Sequence, residues 1–366
     1  MQAKVLSGPR REIELDFLRG IAILAVLDFH SQYPILSYPF TKLGFTPLGW
    51  VGVDVFFVLS GFLVGGLLVK ELKVRGRVDS RRFLIRRGFK IWPQYYLFLS
   101  LVVLTGHRSM SVMWPSFLNI QNYYEGVPHL WSLAIEEHAY LLLVLLLAIA
   151  WRVKMRMRSM FVSLGLMCFA IVVIRCLMLA TARPFFTQTH TRVEGILYGV
   201  MIAIVYHWRP KTFERIQEWR AIWIGMLVLA IGFFRLQLHQ VWSLSVAIDV
   251  ANLIGVCLLM LIYRHREGVA RSLPYRLVAW IGLYSYGIYL WHVAPSSLVI
   301  RIASGLPERA GTIFIAMAQP LLGIALGVLM TKLVEFPMLR LRDRWFPRRV
   351  ESAVEDTPVE AAALAR

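Results

Sequence analysis

The sequence predicts an all-α, polytopic integral membrane protein of about ten transmembrane helices with both termini in the cytoplasm. Three observations predict it. Of 366 residues, 58% are hydrophobic and only 17% charged, a balance far too apolar for a soluble domain. The apolar residues gather into repeated runs long enough to cross a bilayer, at 15–32, 51–70, 91–107, 130–150, 159–180, 191–207, 221–237, 244–263, 277–299 and 311–334. Finally, 32 of the 40 Lys and Arg residues fall in the segments that an even number of spans places on the side of the termini, which the positive-inside rule makes the cytoplasm. The formal charge of +18 is therefore mainly a topology signal plus contact with anionic lipid, and nucleic acid is not expected as a partner. Residues 1–12 read as a short cytoplasmic tail, 13–349 as the transmembrane domain, and 350–366 as a disordered cytoplasmic tail. The first apolar run has no small-residue cleavage site after it and reads as a retained helix.

That first run, IELDFLRGIAILAVLDFHSQ, carries Arg19, Asp28 and His30. Eleven helical steps separate Arg19 from His30, which puts both on one face about 16 Å apart. An ionisable group inside a spanning helix costs on the order of 3 kcal/mol and normally faces a protein interior or a functional path. The plainer reading, in which Arg19 snorkels to headgroups and His30 sits at the outer interface, explains each residue singly but not Asp28 beside them.

The loop at 33–50, with three prolines and two glycines, suits an outer segment dipping toward the membrane. The second run opens GVDVFFVLSGFLVGG. Asp54 lies at about the depth of His30, where a carboxylate could orient an imidazole, and Gly61, Gly65 and Gly66 form a small-residue packing face. Next, KELKVRGRVDSRRFLIRRGFKIWPQYY reads as a basic amphipathic helix along the interface, with Pro93 bending or restarting the chain. Its Arg82, Arg86, Arg87 and Lys90 suit either lipid headgroups or a phosphate clamp for a polyanionic ligand. The outer loop at 108–129 holds a polar and aromatic cluster that includes Asn119. The fourth run, PHLWSLAIEEHAY, places Glu136 and Glu137 about 100° apart, so at most one lines a given cavity while the other pairs with an arginine or caps a neighbouring helix. Arg192 and Glu194 open the sixth run as an ion pair and candidate acceptor contact. The seventh and eighth runs read as scaffold, with only Asp249 and Asn252 set deep among polar residues. The ninth, WIGLYSYGIYLWHV, ends in His292, and Glu335-Phe336-Pro337 closes the tenth at a helix end. Cys168, Cys176 and Cys257 lie in or near apolar runs with no disulfide or metal-ligand spacing, and no metal is expected. Phosphate-binding loops, dinucleotide fingerprints and hydrolase nucleophile motifs are absent from the sequence.

Seven of these stretches, in order, resemble the bacterial membrane-bound acyltransferase-3 family: LDFLRGIAILAVLDFH, GVDVFFVLSGFLV, RRFLIRRGFKIWPQYY, HLWSLAIEEHAY, the Arg192–Glu194 segment, YSYGIYLWH, and the closing Glu-Phe-Pro. Three positions depart from the pattern: Lys90 stands where Arg is usual, His138 where Gln or another residue is commoner, and Asp28 two residues before His30. The resemblance implies a ten-helix core in a bacterial inner (cytoplasmic) membrane and transfer of an acyl group, most often acetyl, from acyl-CoA to a carbohydrate or glycolipid hydroxyl. It implies essential roles for Arg19 and His30, with Arg86, Arg87 and Lys90 on the CoA phosphates. His30 would act as general base or as transient acyl carrier, with Asp54, Glu136 or Glu137 orienting it; Arg192, Glu194, His292 and Asn119 are candidates for holding the acceptor. Some members carry a fused periplasmic hydrolase domain for which this chain has no room, so it is expected to complete transfer alone or hand over to a separate protein. The rival reading is a transporter or flippase of a lipid-linked sugar, whose buried charges would line a path without chemistry.

Overall fold

The computed structural model describes residues 12–31, 33, 42, 49–235, 241–263 and 272–347. The predicted tails and most of the loop at 33–50 lie outside them. The described residues form helices and no strand: α1 (Ile13–His30), α2 (Val51–Arg75), α3 (Ser80–Leu104), α4 (Met110–Phe117), α5 (Trp131–Arg152), α6 (Met157–Ala180) and α7 (Glu194–Trp208), then α8 (Pro210–Glu218), α9 (Arg220–Arg235), α10 (Val241–Ile262), α11 (Leu273–Leu283), α12 (Ser285–Trp291), α13 (Ser296–Ala303) and α14 (Glu308–Trp345). Among them, five helices are long and apolar enough to cross a membrane, or six when α8 and α9, bent by 65°, are taken together. This is the make-up of a multi-pass membrane protein. Many of the apolar side chains stay outward-facing, as lipid contact requires: Leu104 on α3, Phe169 on α6 and Leu229 on α9 are each more than 60% exposed.

The packing is set by small residues. Gly20 of α1 and Gly282 of α11 let these helices touch backbone to backbone, and a Cβ on Gly282 would lie 1.8 Å from the Asp16 carbonyl oxygen. Gly61 of α2 meets the Ile196 carbonyl and Gly199 of α7 in the same way. Here α2 takes a π-helical turn, Gly61–Gly65, so the predicted small-residue face sits where the backbone widens to meet its neighbour. A second π-turn, Thr331–Glu335, interrupts α14.

Three predicted elements differ, the first being the helix end expected at Glu335-Phe336-Pro337, where α14 instead runs on through the π-turn to Trp345. The basic segment and the third run are one helix, α3, running through Pro93 with no restart. Proline removes a single ladder bond, to the Phe89 carbonyl, and a turn or more of helix on each side carries the chain across. The ninth run is not one span: it breaks at Tyr284 between α11 and α12 and turns at His292–Pro295 before α13. Apolar periodicity cannot report such breaks, because the residues on both sides are equally hydrophobic.

Candidate functional site

Two cavities lie along α1, one at the depth of Arg19 and one at the depth of His30. The larger, about 110 Å³, is lined by Arg19, by Arg87 and Lys90 of α3, by Ser132, Glu136 and Tyr140 of α5, by Tyr286 and Tyr289 of α12, and by Glu335 of α14, with Phe56, Phe57 and Val64 of α2 as apolar wall. Three cations and two carboxylates thus share a pocket inside an apolar bundle. Its hydrogen bonds centre on one phenol. The Tyr140 hydroxyl donates to Glu136 Oε2 at 2.8 Å, lies 2.7 Å from Ser60 Oγ and accepts from Arg87 Nη2. The Arg87 guanidinium also stacks 4.3 Å from the Tyr140 ring centroid. Arg87 Nε is buried with no hydrogen-bond partner. Arg19 has Asp16 3.6 Å away on its own helix.

The four predicted clamp residues divide. Arg87 and Lys90 face the cavity, whereas Arg82 and Arg86 reach the end of α14: Arg86 pairs with Asp343 at 3.0 Å and donates to the Phe346 carbonyl, and Arg82 donates to the Pro347 carbonyl. Their spacing explains the division, since Arg82 and Arg86 are one turn apart on one stripe and Arg87 is rotated about 100° from Arg86. Of the glutamate pair, Glu136 lines the cavity. Glu137 accepts from the Trp92 indole at 3.3 Å, and so neither caps a helix nor pairs with an arginine as expected.

The smaller cavity, about 60 Å³, holds His30 within a wall of Phe29, Trp50, Trp131, Phe186 and Tyr289. Val53 and Tyr289 line both cavities and form the partition between them. The Tyr289 hydroxyl is fixed there: it donates to the His129 carbonyl and lies 2.6 Å from Ser132 Oγ. His30 Nδ1 donates to the Val26 carbonyl at 2.9 Å, which leaves Nε2 as the basic nitrogen. His129 and His292 stand beside it, with ring centroids 6.5 and 5.0 Å from that of His30.

Asp54 does not orient His30. It pairs with Arg192 at 3.0 Å, and both side chains are fully buried. The expected Arg192–Glu194 pair is likewise absent, because Glu194 is taken at 2.5 Å by Arg175 of α6. Residues two apart at a helix start face different neighbours, and here each finds its counter-ion on another helix. Arg175 also holds Asp249 at 2.6 Å and Ser245 at 3.0 Å, and Asn252 donates to Glu194 at 3.3 Å. The two polar residues noted in the eighth run thus join a buried network that ties α6, α7 and α10 together. Arg192 stacks on Trp131 and Phe186, 5.2 and 4.9 Å from their centroids, and so supports the aromatic wall around His30 from behind. Asn119, at φ 57° in the left-handed region that Asn tolerates, lies away from both cavities and contacts the Tyr96 hydroxyl at 3.5 Å.

Sequence reasoning missed Tyr140, Tyr289 and Arg175 and gave Glu335 no role. A lone arginine amid the apolar residues of the fifth run was the one available signal for Arg175, by the same cost argument that singled out Arg19. Tyr140 and Tyr289 carried none, since buried tyrosines are ordinary in such helices. Glu335 reaches the cavity from the π-turn, which no periodicity foretells.

SACOL0978 of Staphylococcus aureus (strain COL), whose name proposes an O-acetyltransferase, is 28% identical over 322 residues, 78% of this chain and 50% of that protein. The O-acetyltransferase OatA of Staphylococcus aureus (strain NCTC 8325 / PS 47) is 26% identical over 368 residues, 90% of this chain and 58% of that protein. The chain therefore spans about half the length of the relatives it matches. No solved structure gives a significant match. The acyltransferase domain family matches residues 12–339, a stretch that contains every side chain lining the two cavities, and the chain belongs to that family.

Proposed function

We propose that this chain is a membrane O-acyltransferase that moves an acyl group, acetyl in the first instance, from acyl-CoA to a carbohydrate or glycolipid hydroxyl at the bacterial inner membrane. The observation that carries this reading is the pair of cavities along one helix, cation-lined at Arg19 and imidazole-bearing at His30, which meet at Val53 and Tyr289. Thioester transfer needs a seat for a polar donor, a base for the acceptor hydroxyl and donors for the developing oxyanion. Arg87, Lys90 and Arg19 supply charge for the donor arm, and the free Nε2 of His30 supplies the base. A ten-span arrangement with both termini cytoplasmic, supported by the charge distribution, puts the Arg19 end on the side where acyl-CoA is made. The names of the staphylococcal relatives support acetyl as the group and oxygen as its destination.

In the chemical step the acceptor oxygen bonds to the thioester carbonyl carbon as its proton moves to His30 Nε2. The carbon–sulfur bond breaks, and CoA leaves as a thiolate that takes up a proton. The test uses membrane vesicles carrying the chain and radiolabelled acetyl-CoA, scoring base-labile acetyl ester on vesicle material. Wild type forms ester with release of CoA thiol. His30→Ala binds acetyl-CoA but loses at least about 10²-fold of the transfer rate. Movement of label or glycan across the membrane with no change in acceptor mass overturns the reading in favour of a carrier.

A further inference from the structure

Three imidazoles from three separate elements meet at the His30 end of α1. His30 closes α1, His129 sits in the 3₁₀ turn ahead of α5, and His292 follows α12. Each ties one ring nitrogen to a backbone carbonyl: His30 Nδ1 to Val26 at 2.9 Å, His129 Nε2 to Leu290 at 3.2 Å, and His292 Nδ1 to Tyr289 at 2.7 Å. A carbonyl only accepts, so each tied nitrogen carries the proton and each remaining nitrogen offers a lone pair. His292 Nε2 is buried and has no hydrogen-bond partner. Leaving such a group unpaired costs about 1–3 kcal/mol, which asks for a reason.

The spacing supplies one. Two imidazoles joined by an N–H···N bond of about 2.9 Å have centroids about 5.2 Å apart. The His30–His292 separation is 5.0 Å and the His129–His292 separation 5.1 Å, whereas His30 and His129 are 6.5 Å apart. His292 is therefore the central ring, the one whose centroid lies near those of both others. The titratable groups facing it are His30 from α1, His129 from ahead of α5 and Tyr289 from its own helix. From α14 come Gly323, against its backbone, and the amide of Gln319, which holds the His30 carbonyl at 3.2 Å. A proton arriving on this trio meets imidazoles as its nearest acceptors.

We propose that His292 is the proton partner of His30: its Nε2 accepts the proton that His30 Nε2 has taken from the acceptor hydroxyl, and so returns His30 to its basic form. The N–H bond on His30 breaks as the new one forms on His292, and His292 releases that proton to water before the next turnover, which balances the proton the CoA thiolate takes up from water. This assignment rests on the acyl-transfer reading and adds to it a residue that acts through His30 without touching the donor.

The experiment compares wild type, His292→Gln and His292→Gly in the vesicle assay with radiolabelled acetyl-CoA between pH 5.5 and 9, with and without added imidazole. His292→Gln is expected to keep the wild-type KM for acetyl-CoA and to lose about 10²-fold in kcat. Because a free lone pair on both rings is needed, wild-type activity falls at acid pH with the slope of two protonations, and the variant falls with the slope of one. In His292→Gly, imidazole restores part of the rate, which a purely structural role would not allow. A wild-type kcat and acid limb in His292→Gln overturns the proposal. So does a loss of rate in both variants that tracks their thermal stability and ignores imidazole. If wild type itself forms no ester, the acyl-transfer reading falls and takes this inference with it; if wild type is active and only the His292 variants behave as normal, this inference alone falls.

Discussion

Arg87 shows how much one side chain's direction decides. It differs from Arg86 by one step of sequence, yet one guanidinium stacks on Tyr140 inside the larger cavity while the other holds Asp343 on another face of α3. Replacing Arg87 with Lys keeps the charge and loses the planar fork on Tyr140. The expected result is an apparent KM for acetyl-CoA raised about tenfold with ester formation still measurable, whereas Arg86→Lys leaves that KM within about twofold. Arg175 makes the corresponding point for stability. With side-chain exposure of 0%, it satisfies Glu194 and Asp249 together, and truncating one partner of a buried pair strands the rest. Arg175→Met is expected to destabilise the fold by about 3–5 kcal/mol, read as a lower melting temperature in detergent, and Asn252→Ala by less. An Arg175→Met protein that melts like wild type would remove the network from the account of stability.

The helices owe their arrangement to places where no side chain fits. Gly282 lets α11 lie on α1 with its Cα against the Asp16 carbonyl, and this contact holds the Arg19 end of α1 in register with the larger cavity. Gly282→Ala forces the pair apart and is expected to cost about 1–3 kcal/mol and to lower acetyl-CoA binding, measured together on one purified sample. Gly305, whose Cβ position is nearly open, serves as the control and tolerates Ala. Breaks matter as much as contacts. The interruption at Tyr284 and the π-turn at Thr331–Glu335 turn Tyr286, Tyr289 and Glu335 toward the cavity, where a continuous helix of either sequence would rotate them elsewhere.

Taken as a whole, the molecule is a bundle with a divided interior. Val53 and Tyr289 stand between a polar chamber and an aromatic one, so in the proposed reaction the acyl group passes them to reach His30. Val53→Trp is expected to fill the partition: acetyl-CoA still binds, measured by equilibrium dialysis, while ester formation falls more than about tenfold. Ester formation at the wild-type rate in this variant would show that the acyl group takes another route. One set of buried charges gathers around Tyr140 and another around Arg175, and their counter-ions are met within the protein and not in lipid.

Much of this was legible in the residues alone. Hydropathy determined that the chain is an all-helical membrane protein, because a bilayer admits only segments that satisfy their own backbone and present apolar side chains. The cost of burying charge determined that Arg19, His30 and Glu136 deserve a reason, and helical spacing determined that Arg19 and His30 share a face. What the residues alone could not decide was partnership. Asp54 was expected beside His30 and is instead held by Arg192; Glu194 was expected beside Arg192 and is instead held by Arg175; Arg82 and Arg86 were grouped with Arg87 and turn away from it. Each of these pairings joins residues far apart in sequence on different helices, and periodicity reports only which way a residue points from its own axis. Which helix stands opposite is decided by close-packing glycines, a broken ninth run and two π-turns, and only the tertiary structure brings those together.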